Sequence, residues 1–469
     1  MSAPASKLLL TELWSSAGQP EVGLAAIALT GVESTLPSSF AVGTAAQATV
    51  AASALAANEL WQLRTGRRQQ VGVDMRHAGI EFRSERYLRV DGKPPREHRD
   101  NTVGVYRCGD GRWVRLHTNL PHHRAGTLKL LGAEYNRASV QRAIDGWEAL
   151  KLEAAAVAAG LVVTATRSFE EWDAHPQGRV VASLPLFSIE RIGNAPPQPL
   201  PAGSRPLAGV KVLDLTRVIA GPVCGRTLAA HDADVLNITA AHLPAMESLV
   251  IDTGRGKLSA QIDLGETAGR EKLAALLRGA DIFVQGYRPG AIAQYGFSAE
   301  ETTKLRPGIV CVSLCAYGHE GPWAGRRGFD SLVQNANGLN VAEALAAGAS
   351  GPNPEPMPLP AQALDHATGY LMAFGAMTAL RRRATEGGSW HVRCSLAQTG
   401  HWIRGLGRIE GGLTRPDPGF DDVRDLMEDS ASGFGRLTGV RHSAVMSETP
   451  AHWLRPSVPL GTNAPEWPR

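Results

Sequence analysis

The sequence predicts an α/β protein, with a Rossmann-like parallel sheet in a large domain and a separate small α+β domain. After residue 206, short β-rich runs alternate with helical runs, which is typical of a parallel sheet covered by helices. Before residue 193, the segment 104–119 alternates around Gly109-Asp110-Gly111, as a β-hairpin does. A helical segment follows this hairpin, and together they indicate the small domain.

The large domain is predicted element by element. Its strands are expected at 210–216, 234–239, 281–287 and 308–314. A helix opened by Pro222 should follow the first strand, because proline suits a first helical turn. Ligands of such sheets bind beyond the carboxyl ends of the strands. Those ends are expected at 216–222, 239–243, 286–290 and 315–321.

The domain organisation follows from one Pro- and Gly-rich segment at 193–206, which reads as a linker. We expect residues 1–100 to be a helical partial copy of the large domain, because 44–75 and 365–396 share one layout. Each has a helix, a basic turn and a short strand. The remaining boundaries are predicted as a small α+β domain with a return segment at 101–192, the large domain at 207–410 and an extension at 411–469.

Composition excludes several classes of protein. The 469 residues carry 48 Lys+Arg against 45 Asp+Glu, which is too balanced to indicate nucleic-acid binding. The first residues lack the apolar core of a signal peptide, and the most apolar stretch, 369–380, is shorter than a membrane span. We therefore expect a cytoplasmic protein without a membrane partner. The five cysteines form no C-x-x-C pair, so neither a disulfide framework nor a metal site is expected.

One carboxylate stands at a conspicuous place. Asp365 lies where the loop "LPAQAL" runs into the long apolar stretch "HATGYLMAFGAMTAL". Asp is a favoured residue for capping a helix N-terminus, because its oxygen accepts a bond from a free backbone N–H. A carboxylate at a helix start can also attack a thioester as a nucleophile, and nearby backbone N–H groups can stabilise the resulting oxyanion. The residues alone leave both roles open.

Several motifs in order then carry a resemblance. They are "PLAGVKVLDLTRVIAGP", "GRGKLSAQIDL", "GYRPGAIAQYGF" and "RPGIVCVSLCAYGHEGPWAGRRGFDSLVQNANG", followed by Asp365 at the opening of a long helix. Over about residues 206–400 the chain resembles the class III CoA-transferases, the CaiB/BaiF family. The N-terminal part is similar to a later portion of such a protein. The whole therefore resembles a fused, truncated tandem in which Thr44 takes the place of Asp365.

The resemblance implies an acyl-CoA:carboxylate CoA-transferase in which Asp365 forms covalent acyl and CoA intermediates. It implies acyl-CoA and a carboxylic acid as substrates, a CoA thioester rather than a tightly bound cofactor, no metal, and a homodimer. Specificity is expected to come from loops around Asp365. The residues that it places against CoA are Val218, Ala220, Lys257, Gly286, Tyr287 and Arg288.

Two departures from the family pattern keep other functions open. Phe329 stands where the family's racemases have a proton-transferring His, which disfavours racemisation. Basic residues expected to face the CoA phosphates are replaced by Ala240, Gly265 and Gln294. The alternatives are a non-catalytic CoA-binding partner subunit and an acyl-CoA lyase or racemase-type enzyme. Cations that could compensate are Arg255, Lys257, Arg288, Arg326 and Arg327.

Overall fold

A computed structural model describes residues 3–95 and 100–468 of the chain. The N-terminal part combines helices with short strands. Its helices are α1 (Ala3–Ser16), α2 (Val42–Thr65), α3 (Met75–Glu81) and α4 (Ser84–Tyr87). Its strands are β1 (Ile27–Thr30), β2 (Val71–Asp74) and β3 (Arg89–Val90). Strands β1 and β2 pair in parallel, so this part carries a piece of sheet as well as helices.

The next part is a small α+β unit. Its strands are β4 (Gly104–Arg107), β5 (Trp113–Leu116) and β6 (Val163–Ala165), followed by the separate strand β7 (Phe187–Gly193). Its helices are α5 (Pro121–Leu131), α6 (Arg137–Ile144), α7 (Ala149–Ala158), α8 (Phe169–Ala174) and α9 (Pro176–Ser183). The predicted hairpin is confirmed, because β4 and β5 pair antiparallel with Gly104 opposite Leu116.

The large domain alternates strand and helix as the sequence predicts. Its strands are β8 (Lys211–Leu215), β9 (Asp234–Thr239), β10 (Lys257–Gln261), β11 (Ile282–Gln285), β12 (Val310–Cys315) and β13 (Ser389–Ser395). Its helices are α10 (Ala220–Ala230), α11 (Glu247–Thr253), α12 (Thr267–Arg278), α13 (Ala299–Leu305), α14 (Asp330–Ala336), α15 (Leu339–Ala346), α16 (Ala363–Glu386) and α17 (Leu396–Gly405).

The sheet order confirms the Rossmann-like prediction. The strands lie side by side as β10-β9-β8-β11-β12-β13-β7. All neighbours run parallel except β7, which pairs antiparallel with β13. The first six strands therefore have the order 3-2-1-4-5-6 that is typical of dinucleotide-binding sheets, with a switch point between β8 and β11.

The C-terminal extension contains strands that the sequence did not predict. They are β14 (Met427–Ser432), β15 (Gly435–Val440) and β16 (Ala444–Met446). The hairpin β14–β15 pairs with β3, and β16 pairs antiparallel with β2. The extension is thus bound to the N-terminal part. It returns to β2 in the same antiparallel sense in which β7 returns to β13.

Helix α16 forms the centre of the core. Its residues are buried continuously from Ala363 to Leu380, and it packs against α2, α10 and strand β13. A helix that is apolar on every side is typical of such a central position. No helix of the described residues has both the length and the apolar composition that crossing a membrane requires.

A glycine sets how closely α10 approaches α16. A Cβ atom on Gly369 would lie 2.6 Å from the carbonyl oxygen of Ala220 and 2.7 Å from Cβ of Val223. Gly369 lies one helical turn beyond Asp365, so this close contact brings the start of α10 next to Asp365. The absence of one side chain therefore helps to build the site.

Replacing Gly369 with Ala should destabilise the protein, although Ala is the better helix former by about 1 kcal/mol. The added methyl meets backbone, which cannot turn aside, so we expect a net loss of about 1–3 kcal/mol, measured as a lower Tm. Gly405→Ala in α17 is the control, because no atom lies within 4 Å of the place where its Cβ would be. A Gly369→Ala protein as stable as the native one would contradict this view.

Candidate functional site

A cleft opens at the carboxyl ends of the parallel strands, at the switch point between β8 and β11. It encloses about 450 Å³. Its walls include the loops after β8, β9, β11 and β12, together with the start of α5 in the small unit. This is the position at which sheets of this order bind their ligands. Of the predicted site residues, the cleft brings together Val218, Ala220, Gly286, Tyr287, Arg288 and Asp365.

Asp365 does not cap its own helix. It is the third residue of α16. The N-cap residue is Gln362, whose side chain makes no capping hydrogen bond. The backbone N–H of Asp365 instead donates to Oδ2 of Asp330 at 2.9 Å. The N–H of Leu364 also hydrogen-bonds with Asp330. Asp330 therefore serves as the cap from outside the helix, and the interpretation of Asp365 as the cap is wrong.

The Asp365 residue lines the cleft but is almost completely buried. Only 7% of the residue is exposed. Burial raises the pKa of its carboxyl group well above the ordinary value, and the nearby carboxylates of Asp330 and Glu85 raise it further. The backbone N–H of Ala220, at the first position of α10, hydrogen-bonds with the carboxylate and lowers the pKa. Asp365 thus has one backbone donor to support its charge and two acids that oppose it.

Asp330 is the second buried acid of the site. Burial raises its pKa to about 6, although hydrogen bonds from the Asp365 N–H, the Gln334 amide and the Leu364 N–H act in the opposite direction. Asp330 and Asp365 both gain a proton more readily than ordinary aspartates. Paired carboxyl groups with such shifts are typical of sites where protons or nucleophiles are handled.

The loop that leads into α10 is strained at Val218. Its φ angle is +74°, in the left-handed region that β-branched residues rarely adopt. Such outliers persist where the surrounding structure enforces them, and they cluster at ligand-binding sites. Val218 lines the cleft and lies two residues before Ala220. The strained turn aims the N-terminus of α10 towards Asp365.

The loop after β11 supplies the opposite wall. Gly286, Tyr287 and Arg288 all line the cleft, as predicted. A side chain at Gly286 would find its nearest neighbours at 3.6 Å, so the glycine leaves open space there. Tyr287 is half-buried, whereas Arg288 is exposed. Within the described part of the chain, no ion pair or hydrogen bond engages the Arg288 guanidinium.

Lys257 is the predicted site residue that the large cleft does not include. Its ammonium group is 4% exposed, donates to Oδ2 of Asp214 at 2.9 Å and to the Pro222 carbonyl at 2.8 Å. These partners tie strand β10 to strand β8 and to the first turn of α10. The residue also borders a smaller cavity of about 60 Å³ beneath the loop after β8.

The structure divides the other candidate cations into two groups. Arg255 is buried against Asp252, and Arg326 is held by Glu153, so both are engaged in structural ion pairs. Arg327 is exposed at the cleft, where its guanidinium reaches the Gly160 carbonyl at 3.3 Å. Arg217, which the sequence analysis did not single out, also lines the cleft. Its position directly after the predicted strand β8 was the signal that could have identified it.

The positions that lack the expected basic residues do face the cleft. Ala240, Gly265 and Gln294 all line it, together with Thr239 at the end of β9. The cleft therefore carries no basic residue at these three expected positions. Its free positive charge is concentrated on Arg217, Arg288 and Arg327, in the loops after β8, β11 and β12.

Two histidines of the small unit reach the cleft. His122 and His123 lie in the first turn of α5 and line the wall. Burial lowers the pKa of His123 to about 3, and neighbouring His122 and Arg327 contribute to the decrease. His117 stacks on Phe329 with ring centroids 3.9 Å apart. Over the described residues, no cluster of His, Cys, Asp and Glu has the arrangement of a metal site.

Asp365→Asn should stabilise the protein at neutral pH. A carboxyl group with a raised folded pKa gives its full stability below the unfolded value, about 3.9 for Asp, and loses it as the pH rises through the folded pKa. At pH 7 we expect the free energy of unfolding to exceed that of the native protein by up to about 1.4 kcal/mol for each pH unit between the unfolded and folded pKa values. This is measured as a higher Tm, and no difference is expected near pH 4.

A matched variant separates this effect from a general response to amide substitution. Asp281 lies at the opposite end of the sheet, where its carboxylate accepts from Arg383 at 2.8 Å and from the Lys211 N–H at 2.9 Å. Asp281→Asn should lower Tm at pH 7, because it breaks a buried ion pair. An Asp365→Asn protein that is less stable than the native one at pH 7 would show that the Asp365 carboxylate supports the fold.

Comparisons with known proteins agree with the motifs. The acyl-CoA transferase of Gibberella moniliformis is 30% identical over 369 residues, which are 70% of this chain and 64% of that protein. The acetyl-coenzyme A transferase nodX of Hypoxylon pulicicidum is 29% identical over 336 residues, 66% of this chain and 55% of that protein. The chain thus spans between about half and two thirds of the length of these relatives.

Among solved structures, a CaiB/BaiF family protein from Brucella suis has a TM-score of 0.39 at 23% identity, covering 50% of this chain and 65% of that one. The model of CoA-transferase family III matches residues 14–197 and 207–407. The two matched ranges include both the N-terminal part and the large domain. The chain therefore belongs to CoA-transferase family III.

Proposed function

We propose that the protein is an acyl-CoA:carboxylate CoA-transferase and that Asp365 is its nucleophile. The observation that carries the proposal is the division of roles between two carboxylates. Asp330 caps α16, so the Asp365 carboxylate remains available at the cleft, beside the N–H of Ala220. Family membership supports CoA transfer as the general reaction, and the names of the relatives agree with it.

The chemistry needs only the carboxylate and the substrates. An Asp365 oxygen attacks the thioester carbonyl of the acyl-CoA, and the C–S bond breaks to give a mixed anhydride and CoA thiolate. The thiolate attacks the aspartyl carbonyl, which releases the donor acid and leaves an aspartyl-CoA thioester. The acceptor carboxylate then attacks that thioester, and the returning thiolate attacks the acceptor acyl carbon. Asp365 is regenerated as the acceptor-CoA leaves.

The raised pKa of Asp365 has a place in this reaction. The attacking form is the carboxylate, so acylation should become faster as the pH rises towards the pKa of Asp365. The Ala220 N–H, at the start of α10, stabilises negative charge at this point. Phe329 occupies the position of the racemase His and offers no proton-transferring group, so we do not propose racemisation.

We also propose that the chain contains two incomplete copies of a family protomer. Helices α2 and α16 are both 24 residues long, and their third residues are Thr44 and Asp365. Glu33 accepts from the Gly43 and Thr44 N–H groups, as Asp330 does from the start of α16. The antiparallel returns of β16 to β2 and of β7 to β13 support the same view. In this arrangement Asp365 is the carboxylate of one active site per chain.

Covalent trapping tests the nucleophile. The protein is incubated with acetyl-CoA, succinyl-CoA and a longer fatty acyl-CoA, treated with hydroxylamine or borohydride, and analysed by peptide mass spectrometry. We expect a modification at Asp365 that is absent from Asp365→Asn and present in Asp281→Asn. Binding of CoA without any modification across these donors would contradict the transferase proposal and favour a CoA-binding subunit.

Binding measurements test which cations meet CoA. Arg288→Ala removes an exposed charge that has no partner among the residues the structure describes. We therefore expect CoA to bind about three- to tenfold more weakly, and the deficit to shrink at high salt. Lys257→Met removes the partner of buried Asp214 and should destabilise the fold by about 3–5 kcal/mol. Calorimetry with CoA and thermal unfolding distinguish the two. Unchanged CoA affinity in Arg288→Ala would exclude this residue from the binding site.

A further inference from the structure

The histidine that follows the proposed nucleophile is bonded to an acid from the N-terminal part. Nε2 of His366 lies 3.2 Å from Oε2 of Glu85, which belongs to α4. The His366 side chain is 1% exposed and the Glu85 side chain is 12% exposed. The His366 ring also stacks on Phe82 at a centroid distance of 5.5 Å. A hydrogen bond and a ring contact therefore hold this imidazole in place.

Glu85 is itself held within a buried charge network. Its neighbour Ser84 donates to Oδ2 of Asp252 at 2.6 Å, and Arg226 donates to the same oxygen at 2.7 Å. Burial tends to raise the pKa of Glu85, but the hydrogen bond and the charge of His366, together with the charge of Arg86 at 3.6 Å, outweigh it and the pKa is lowered. Glu85 is consequently an anion whose charge reaches Asp365.

The charged groups around Asp365 come from several elements. Asp330 faces it from the start of α14, Glu85 from α4, and the Ala220 N–H from the start of α10. His366 adjoins Asp365 on α16 and interacts with Asp330, Glu85 and Asp252. The Glu85 carboxylate opposes ionisation of Asp365, and the His366 hydrogen bond holds that carboxylate in place and in its ionised form.

We propose that Glu85 and His366 are positioning residues, a hydrogen-bonded pair through which the N-terminal part sets the ionisation of the Asp365 nucleophile. This inference rests on the proposed function, because it assigns the pair a role in the reactivity of Asp365. It gives the N-terminal part a chemical role in the site, in addition to its packing against α16. Neither residue belongs to the motifs that identified the family.

The direction of each effect follows from charge. Glu85→Gln removes a negative charge near Asp365, so the Asp365 carboxyl should titrate at lower pH. His366→Phe keeps a ring on Phe82 but removes the hydrogen bond that keeps Glu85 ionised against its burial, so Glu85 should take up a proton and Asp365 should titrate at lower pH, as in Glu85→Gln. His366→Gln retains an amide donor and should restore most of the native behaviour. The loss of one nearby charge is expected to move the Asp365 midpoint by about one pH unit.

Two measurements on the full-length protein test the inference. In the first, ¹³C NMR of protein carrying carboxyl-labelled aspartate follows the Asp365 signal against pH, with the assignment taken from Asp365→Asn. In the second, the rate of Asp365 acylation by a donor found in the trapping experiment is followed against pH. At pH values below the native midpoint, both Glu85→Gln and His366→Phe should be acylated about three- to tenfold faster than the native protein.

The control is Glu59→Gln, which removes another fully buried carboxylate, one bonded to Arg68 at 2.6 and 2.9 Å. It should alter stability without moving the Asp365 titration. An Asp365 midpoint that is unchanged or raised in Glu85→Gln or in His366→Phe would overturn the inference. If the NMR midpoints move as expected but no variant or native protein is acylated, the transferase proposal fails while the influence of the pair on Asp365 stands.

Discussion

The site depends on which of two carboxylates caps the start of α16. A helix N-terminus needs an acceptor for its free N–H groups, and Asp330 provides it from the start of α14. Asp365 is therefore free to face the cleft, where it is held by the rigid helix behind it. Gly369 then allows α10 to approach, and the strained turn at Val218 brings the Ala220 N–H to the carboxylate.

This arrangement leaves the Asp365 carboxylate with little electrostatic stabilisation at the place where the proposed chemistry occurs. Asp252, another buried acid of the region, is compensated because it pairs with Arg226 and Arg255. Asp365 has no cationic partner among the described residues, and its pKa is raised accordingly. A carboxylate that is poorly stabilised as an anion is a stronger base and nucleophile once it is deprotonated. The fold thus accepts a cost in stability at the residue on which the proposed reaction depends.

The sequence predicted the large domain well because its signals are local. The four strands predicted for this sheet, β8, β9, β11 and β12, are compact apolar runs, and β9 was placed at its observed limits. Strand β10, whose sequence is KLSAQ, lacks such a run and was not predicted. The sequence could not predict that Lys257 turns inward to Asp214, since a lysine in a β-rich run gives no sign of its partner. The contribution of Glu85 and the wall formed by His122 and His123 were also missed, because residues distant in the chain meet there only through the tertiary fold.

The N-terminal part offers an internal comparison for the role of Asp365. Helix α2 has the same length as α16, packs against it and is capped in the same way, by the external carboxylate of Glu33. At the position equivalent to Asp365 it has Thr44, whose hydroxyl donates to Glu33 at 2.7 Å. A buried helix of this kind therefore forms without an acid at its third residue. Since such a helix forms without a carboxylate there, the fold alone gives no reason for Asp365, and this agrees with the proposed role as nucleophile.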